Sequence, residues 1–357
     1  MDGEPRHEEL RRLGWSEWHE ARTECGPEDA LARVAAVDRE ALLVMDPTGT
    51  FRATLAGRFL HRHTESHELP CVGDWVVLQK GAPGDWGLVH RVVERRTSLW
   101  RKSAGASMQR QMIAANVDRA VVVQSCHYDF NLRRLERYLV MVREGGAEPC
   151  VLLTKTDLVA PEVVDAQRAE IRAAGIEAPV LTLSNVTQEG LDELRRMLVP
   201  GQTHCFVGGS GVGKSTLINQ LIGGARLQTG GVSGTGEGRH TTVRRELVVL
   251  EGGALVIDNP GMREFGLVEA SGGIGGGFGS IAELATGCRY RDCSHTGEPG
   301  CAVLAAVESG ELSRAQYESF LKLRAESEFA EMSQVERRRK DRAFGRLVRS
   351  VKRGLDD

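Results

Sequence analysis

No stretch of this 357-residue chain approaches the roughly 18 apolar residues that a membrane-spanning helix requires, and its first 20 residues, rich in Glu and Arg, contain no apolar signal core. A cytoplasmic, soluble protein with no membrane partner is expected. Proline is scarce, 11 residues against 42 glycines, and the 41% apolar and 27% charged content is globular. That composition excludes a collagen-like chain or a wholly disordered interaction tail. Internal repeats are absent. The length implies two or three domains. Because no secretion signal precedes them, the eight cysteines read as thiols of a reducing compartment rather than a disulfide framework.

A formal net charge of −3 conceals segregation: residues 1–30 carry nine acidic and four basic side chains, residues 51–110 ten basic and five acidic. Such a local positive face attracts phosphate backbones. Leu10, Leu13, Trp15 and Trp18 predict a short acidic helix or extension over residues 8–24. Five β-rich runs follow, at 33–37, 41–44, 51–55, 75–78 and 87–93. Turn signals such as Asp46-Pro47-Thr48-Gly49 separate them. Five short strands in about 70 residues suit a small closed barrel of the oligonucleotide-binding (OB) type. All five tryptophans lie in the first 100 residues.

From Asp118 to Gly266, apolar runs alternate with amphipathic stretches, the texture of buried parallel strands and their crossover helices. Strands are expected at 120–123, 150–153, 180–183, 204–207, 247–250 and 254–257. A glycine-rich linker, Gly272 to Gly279, and a basic amphipathic tail, Arg337 to Arg353, complete the chain.

Gly208-Gly209-Ser210-Gly211-Val212-Gly213-Lys214-Ser215-Thr216 follows one of these strands and precedes a helical stretch. This is the phosphate-cradling G-x-x-x-x-G-K-[ST] loop: its backbone N–H groups curl around phosphate oxygens, Lys214 reaches the β- and γ-phosphates, and Ser215 ligates Mg²⁺. Thr154-Lys155-Thr156-Asp157 resembles the guanine loop of GTPases. A carboxylate in the base plane accepts from the ring N–H and exocyclic amine of guanine, so Asp157 is the expected selector, with the Lys155 stem over the base. Ser184-Asn185-Val186 resembles the short loop that backs the base through a main-chain N–H. Asp258-Asn259-Pro260-Gly261 reads as D-x-x-G, with Asp258 holding Mg²⁺ through water and Gly261 donating to the γ-phosphate. In Gly238-Arg239-His240-Thr241-Thr242, Thr242 is the favoured further Mg²⁺ ligand, with Thr241 the alternative.

Guanine loop, base-backing loop, phosphate loop, threonine loop and D-x-x-G occur in that order, whereas ordinary small GTPases begin with the phosphate loop. The domain is thus expected to be circularly permuted, so that D-x-x-G leads directly into the C-terminal region. Met262 stands directly after D-x-x-G, where many small GTPases have a water-orienting Gln nearby. Slow unassisted hydrolysis is expected, with His240 the candidate for a place near the water.

Cys288-x4-Cys293-x-His295-x5-Cys301 supplies four ligands within 14 residues, a closed Cys₃His set suited to one structural Zn²⁺. The other cysteines, Cys25, Cys71, Cys126, Cys150 and Cys205, read as core residues.

The chain resembles the ribosome small subunit-dependent GTPase A family (RsgA/YjeQ) through Gly73-Asp74-Trp75-Val76, the Gln111–Asp118 stretch, Asp129-Phe130-Asn131, Leu135-Glu136-Arg137-Tyr138-Leu139, the phosphate loop, residues 238–242 and the Cys₃His set. The resemblance covers roughly residues 30–330 and implies a multidomain protein: an all-β OB-type RNA-binding barrel (31–105), a circularly permuted P-loop α/β GTPase domain (106–270) and a mostly helical zinc-binding domain (271–357); the acidic extension (1–30) and the basic C-terminal helix of the last domain are read from the residues and lie outside it. The resemblance also implies a monomer that binds GTP and GDP with Mg²⁺, contacts rRNA of the small ribosomal subunit late in its assembly through the flanking domains, hydrolyses GTP there, and works beside other assembly factors. Thr154 stands where Asn is common and Asn259 where Thr is common. Two readings compete: a permuted GTPase of large-subunit assembly, and a nucleotide-gated RNA-binding scaffold.

Overall fold

The computed structural model describes residues 4–39, 41–63, 65–82, 84–102, 110–127, 130–209, 211–223, 245–258, 279–290, 293–312, 314, 317–318 and 320–321. They fall into two compact units, Met1–Phe265 and Gly266–Asp357.

In the first unit the expected single helix over 8–24 is two short ones, α1 (Glu4–Arg12) and α2 (Glu17–Glu20). The Gly14 and Trp15 amides turn back onto the carbonyls of Arg11 and Leu10, which ends α1 and inserts Trp15 into the molecule. Leu10 and Trp15 are buried against Trp75, Val77 and Val93. The extension is therefore part of a core rather than a loose arm.

Strands β1 (Ala30–Val37), β2 (Leu42–Asp46), β3 (Gly49–Leu55), β4 (Trp75–Gln79) and β5 (Gly87–Val92) close into a barrel in the order β1-β2-β3-β5-β4, as the alternating runs predict. Its interior is aliphatic, mostly alanine and valine: Ala32, Val34, Val44, Ala53, Val76, Leu78 and Val89. A short helix, α3 (Gly57–Arg62), follows β3 and rests on β5. A hairpin that the sequence pattern did not reveal, β6 (Ser98–Lys102) with β7 (Arg110–Ala115), spans the boundary expected at 105.

The larger sheet comprises β8 (Arg119–Ser125), β9 (Glu148–Thr154), β10 (Val180–Leu183), β11 (Thr203–Gly208), β12 (Glu246–Val249) and β13 (Leu255–Asp258), ordered β10-β9-β8-β11-β13-β12. Five strands are parallel. β12 is antiparallel to β13, because the few residues between them allow a tight hairpin but no crossover. Helices α4 (Leu132–Glu144), α5 (Pro161–Ala173), α6 (Leu191–Met197) and α7 (Lys214–Ile222) make the connections. Val121, Val122, Val123, Leu152, Leu153 and Phe206 are fully buried, each contributing on the order of 1.5–3 kcal/mol.

Barrel and sheet are joined by buried and half-buried polar groups. Arg33 is fully buried; its guanidinium donates to the carbonyls of Gly73 (3.2 Å), Asn116 (3.0 Å) and Leu13, and lies over the Trp75 ring. Burial pulls its pKa down to about 10. Asp74 takes a two-pronged ion pair from Arg95, both contacts at 2.8 Å. Gly73 has φ +91° and a Cβ there would lie 2.1 Å from the Ala115 carbonyl oxygen, so this approach admits glycine alone. Asp118 accepts from the Thr203 amide (2.7 Å), fixing the start of β11.

In the second unit the described regular elements are helices, α8 (Gly279–Ala285) and α9 (Ala302–Ser309). Cys71, Cys126, Cys150 and Cys205 are buried as expected, but Cys25 is exposed: it stands in the loop between α2 and β1, where no strand draws it inward.

Candidate functional site

The loops leaving β9, β10 and β11, and the last residue of β13, occupy one edge of the sheet, because parallel strands share the direction of their C-terminal ends. A pocket of about 460 Å³ opens there. Lys155, Asp157 and Leu158 line one side, Gly211, Gly213, Lys214, Ser215 and Thr216 another, and Asn185 and Val186 complete it.

The phosphate loop starts where β11 ends. A Cβ on Gly208 would lie 2.3 Å from the Val123 carbonyl oxygen, so the strand can turn there only without a side chain. Lys214 opens α7 and is nearly buried; its Nζ donates to the carbonyls of Gly208 (2.8 Å) and Gly209. The ammonium is thereby centred over the loop at a helix N-terminus, where two sources of positive potential add. Val212 is fully buried and anchors the loop from below.

Thr154 is also fully buried. Its hydroxyl lies 2.6 Å from the Val212 carbonyl oxygen and 3.1 Å from that of Gln124. The side chain that opens the guanine loop therefore clamps it to the phosphate loop. Lys155 takes a left-handed conformation (φ 60°), after which Thr156, Asp157 and Leu158 form one 3₁₀ turn. Ser184 Oγ donates to Asp157 Oδ1 (2.6 Å) and accepts from the amides of Val186 (3.1 Å) and Thr187 (3.0 Å). The base-backing loop thus orients the carboxylate expected to read the base. Asn185 Nδ2 donates to the Gly213 carbonyl (3.1 Å), and Gln220 Nε2 donates to the Asn185 carbonyl (2.7 Å).

Asp258 closes β13 beside Phe206 of β11 and is 5% exposed. Its Oδ1 has no hydrogen-bond partner among the described residues. Burial pushes the carboxyl up, and the Lys214 ammonium opposes that shift. A buried carboxylate oxygen with no donor fits a hydrated Mg²⁺ shared with Ser215. Ser210, His240, Thr241, Thr242, Gly261 and Met262 lie outside the described residues, as do most of the glycine-rich linker and the whole basic tail.

Of the expected nucleotide ligands, the pocket brings together Lys155, Asp157, Gly211, Gly213, Lys214, Ser215 and Thr216, while Thr154, Ser184, Gly208 and Val212 brace it. Leu158 and the Asn185 side chain were not anticipated. Asn185 was visible as a loop member, but its bond to the phosphate loop joins residues 28 positions apart.

In the second unit the donor atoms of Cys288, Cys293, His295 and Cys301 lie within 4.8 Å of one another. His295 Nδ1 is 3.5 Å from the sulfurs of both Cys288 and Cys301, which are 3.9 Å apart. A tetrahedral ion with bonds of about 2.3 Å to sulfur would set sulfur–sulfur edges near ~3.8 Å, so the set fits a four-coordinate metal. His295 reaches it through a left-handed backbone (φ 59°), and its carbonyl accepts from the Tyr317 hydroxyl (2.7 Å). Glu298 ties the knuckle by accepting from the amides of Ser294 (2.8 Å), Thr296 (3.1 Å) and Gly297 (3.2 Å).

A family model described as RsgA GTPase matches residues 92–268. The small ribosomal subunit biogenesis GTPase RsgA of Opitutus terrae is 42% identical over 337 residues, covering 90% of each chain. That of Streptomyces coelicolor is 42% identical over 90% of this chain and 87% of its own. Among solved structures, YloQ, a circularly permuted GTPase, has a TM-score of 0.61 at 25% identity over 87% of this chain and 100% of its own. YjeQ from Thermotoga maritima has a TM-score of 0.63 at 24% identity, over 83% and 97%.

Proposed function

This chain belongs to the RsgA GTPase family, and from that premise we propose that it hydrolyses GTP to GDP and phosphate on the small ribosomal subunit late in the subunit's assembly, the turnover timing its own release or that of another factor. The observation that carries the reading is the convergence of Asp157, Lys214 and Asp258 on one sheet edge in permuted chain order, with a barrel before them and a Cys₃His knuckle after.

Asp157, held by Ser184, selects guanine; Lys155 covers the base; residues 208–216 wrap the phosphates. Ser215, Asp258 and Thr242 would hold Mg²⁺, which would neutralise phosphate charge. Gly261 and His240 are assigned to the γ-phosphate and the attacking water. Because Met262 cannot orient water, the subunit completes the site. Cys288, Cys293, His295 and Cys301 hold one structural zinc: three thiolates and an imidazole leave no open position. On the barrel, exposed Trp86 lies under the Arg52 guanidinium and Phe51 under Lys80, a pairing of ring and cation suited to rRNA bases and phosphates. The domain division at 105 and 270, a monomeric state and a cytoplasmic location belong to the same reading.

The test is phosphate release from GTP, with ATP as control, by the protein alone and with purified small or large subunits. Strong stimulation by small subunits alone is expected, and Ser215→Ala or Asp258→Ala should abolish it. Stimulation by large subunits instead, or by neither despite tight GTP binding, overturns the proposal.

A further inference from the structure

A second cavity, of about 440 Å³, lies on the barrel, lined by Arg58, Phe59, Arg62, His63, His90 and Arg91. It is built from one helical turn and one strand end. Arg58 and Arg62 are four residues apart on α3 and share a helix face, and His63 is the extended residue that caps the helix end. Phe59 is 3% exposed and anchors α3. The His63 ring stacks on it with centroids 4.2 Å apart and planes 10° from parallel, while its Nδ1 donates to the Phe59 carbonyl (3.1 Å).

From β5, His90 Nε2 lies 3.1 Å from Asp29 Oδ1, and Arg91 donates to the Glu24 carbonyl. These two side chains are pinned by the segment ahead of the barrel. Arg58 and Arg62 are exposed and make no hydrogen bond or ion pair among the described residues. Three guanidiniums, which never lose their charge, therefore converge on a concavity where Asp29 is the carboxylate in direct contact among the described residues. Their mutual repulsion is offset by an anion that accepts several planar forks at once, which is the chemistry of phosphate oxygens.

The register of the barrel separates this pocket from the Trp86 face. β3 and β5 run parallel and pair from Ala53–Gly87 to Leu55–Val89, so Arg52 and Trp86 lie just before the paired stretch, while α3 and His90-Arg91 lie just after it. Four residues of strand put about 13 Å between Trp86 and His90.

We propose that the α3–β5 pocket holds backbone phosphates of single-stranded rRNA, as a phosphate contact at the opposite end of the barrel from the Trp86 platform. The assignment rests on the reading of this chain as a small-subunit factor. The pocket carries no sequence readout: guanidinium forks on phosphates position RNA, and the exposed Trp86 ring at the other end stacks its bases.

The full-length, metal-loaded protein would be titrated with labelled oligouridylate and with purified small subunits across a salt series. Wild type would be compared with the double variants Arg58→Ala/Arg62→Ala and Arg58→Lys/Arg62→Lys, whose melting temperatures report folding. Removing two phosphate contacts should flatten the slope of log affinity against log salt by roughly 1.4, at about 0.7 per contact on a single strand, and the lysine pair should keep the wild-type slope. An unchanged slope in a folded alanine pair overturns the pocket. If small subunits bind normally to that pair, the pocket falls and the functional reading stands. If wild type ignores small subunits yet the oligouridylate slope flattens, the functional reading falls and the pocket stands. Inorganic pyrophosphate binding that is lost in the alanine pair without a change in RNA slope would reassign the pocket to a free phosphate ligand and sink the RNA proposal.

Discussion

The Thr154 hydroxyl donates across 2.6 Å to the Val212 carbonyl, joining two loops whose residues are 58 positions apart in the chain. The bond is fully buried, so it couples the placement of the base-reading loop to that of the phosphate loop. Replacing Thr154 by the isosteric Val leaves the carbonyl without its donor at a cost of about 1–2 kcal/mol. Urea unfolding should register that loss, and titration with a fluorescent GTP analogue should show roughly tenfold weaker binding. Wild-type affinity in the Val variant would mean that the loops are held in register without this bond.

Asp157 and Ser184 predict a graded effect on base recognition. Ser184→Ala removes the donor that orients the carboxylate, a bond to a charged group worth roughly 1.5–3 kcal/mol, and GTP affinity should fall by about 10- to 100-fold with guanine still preferred. Asp157→Asn changes the pattern itself: one acceptor becomes a donor, so GTP weakens and xanthosine triphosphate, whose ring carries a carbonyl in place of the amine, strengthens. Competition titrations with GTP, ATP and xanthosine triphosphate read both outcomes.

The Cys₃His knuckle should contain one metal per chain by elemental analysis, and prolonged chelation should remove it with loss of helical signal from α8 and α9. Cys301→Ser and Cys293→Ser should differ. Cys301 is also the N-cap of α9, its sulfur accepting from the Leu304 amide at 3.4 Å. A hydroxyl can serve as that cap but is a poor zinc ligand, so both variants lose metal while Cys301→Ser retains more helix in the apo state.

His204 is the second residue of β11 and has no exposure, and burial pulls its pKa from 6.5 to about 4, with the nearby Arg119 adding to the shift. The unfolded chain takes up the proton near pH 6.5 and the folded one only near pH 4. The folded state is therefore fully favoured above pH 6.5 and loses up to roughly 3 kcal/mol as pH falls to about 4. Urea unfolding between pH 7.5 and 4.5 should show this slope, and His204→Leu should flatten it; identical pH curves for the two proteins would refute the assignment.

The barrel strands, the alternation of the larger sheet, the phosphate loop, the guanine loop and the four metal donors are all legible in the amino-acid sequence. Each is a local signal: an apolar period matched to one element, a turn chemistry, or donors within 14 residues. The β6–β7 hairpin escaped because its strands carry Arg101, Lys102, Arg110 and Gln111 in place of an apolar alternation. The break of the first helix at residues 13–16 escaped because the pattern of Leu10, Leu13, Trp15 and Trp18 suits one helix as well as a turn that buries Trp15 against Trp75.

What the chain determined by itself was which chemistries it carries and their order, since glycine spacing, the Lys214 position and the Cys₃His set act within a few residues of one another. The tertiary structure alone decided which side chains line the pocket and which hold those that do. Thr154 turned from an expected ligand position into a clamp, Ser184 became the support of Asp157, and Gly73, Asn116 and Arg33 came together as the joint between barrel and sheet. Those partners are separated by 27 to 83 residues. Parallel pairing in the sheet and antiparallel pairing of β1 with β4 in the barrel bring them within hydrogen-bond reach, and no periodicity along the chain records that distance.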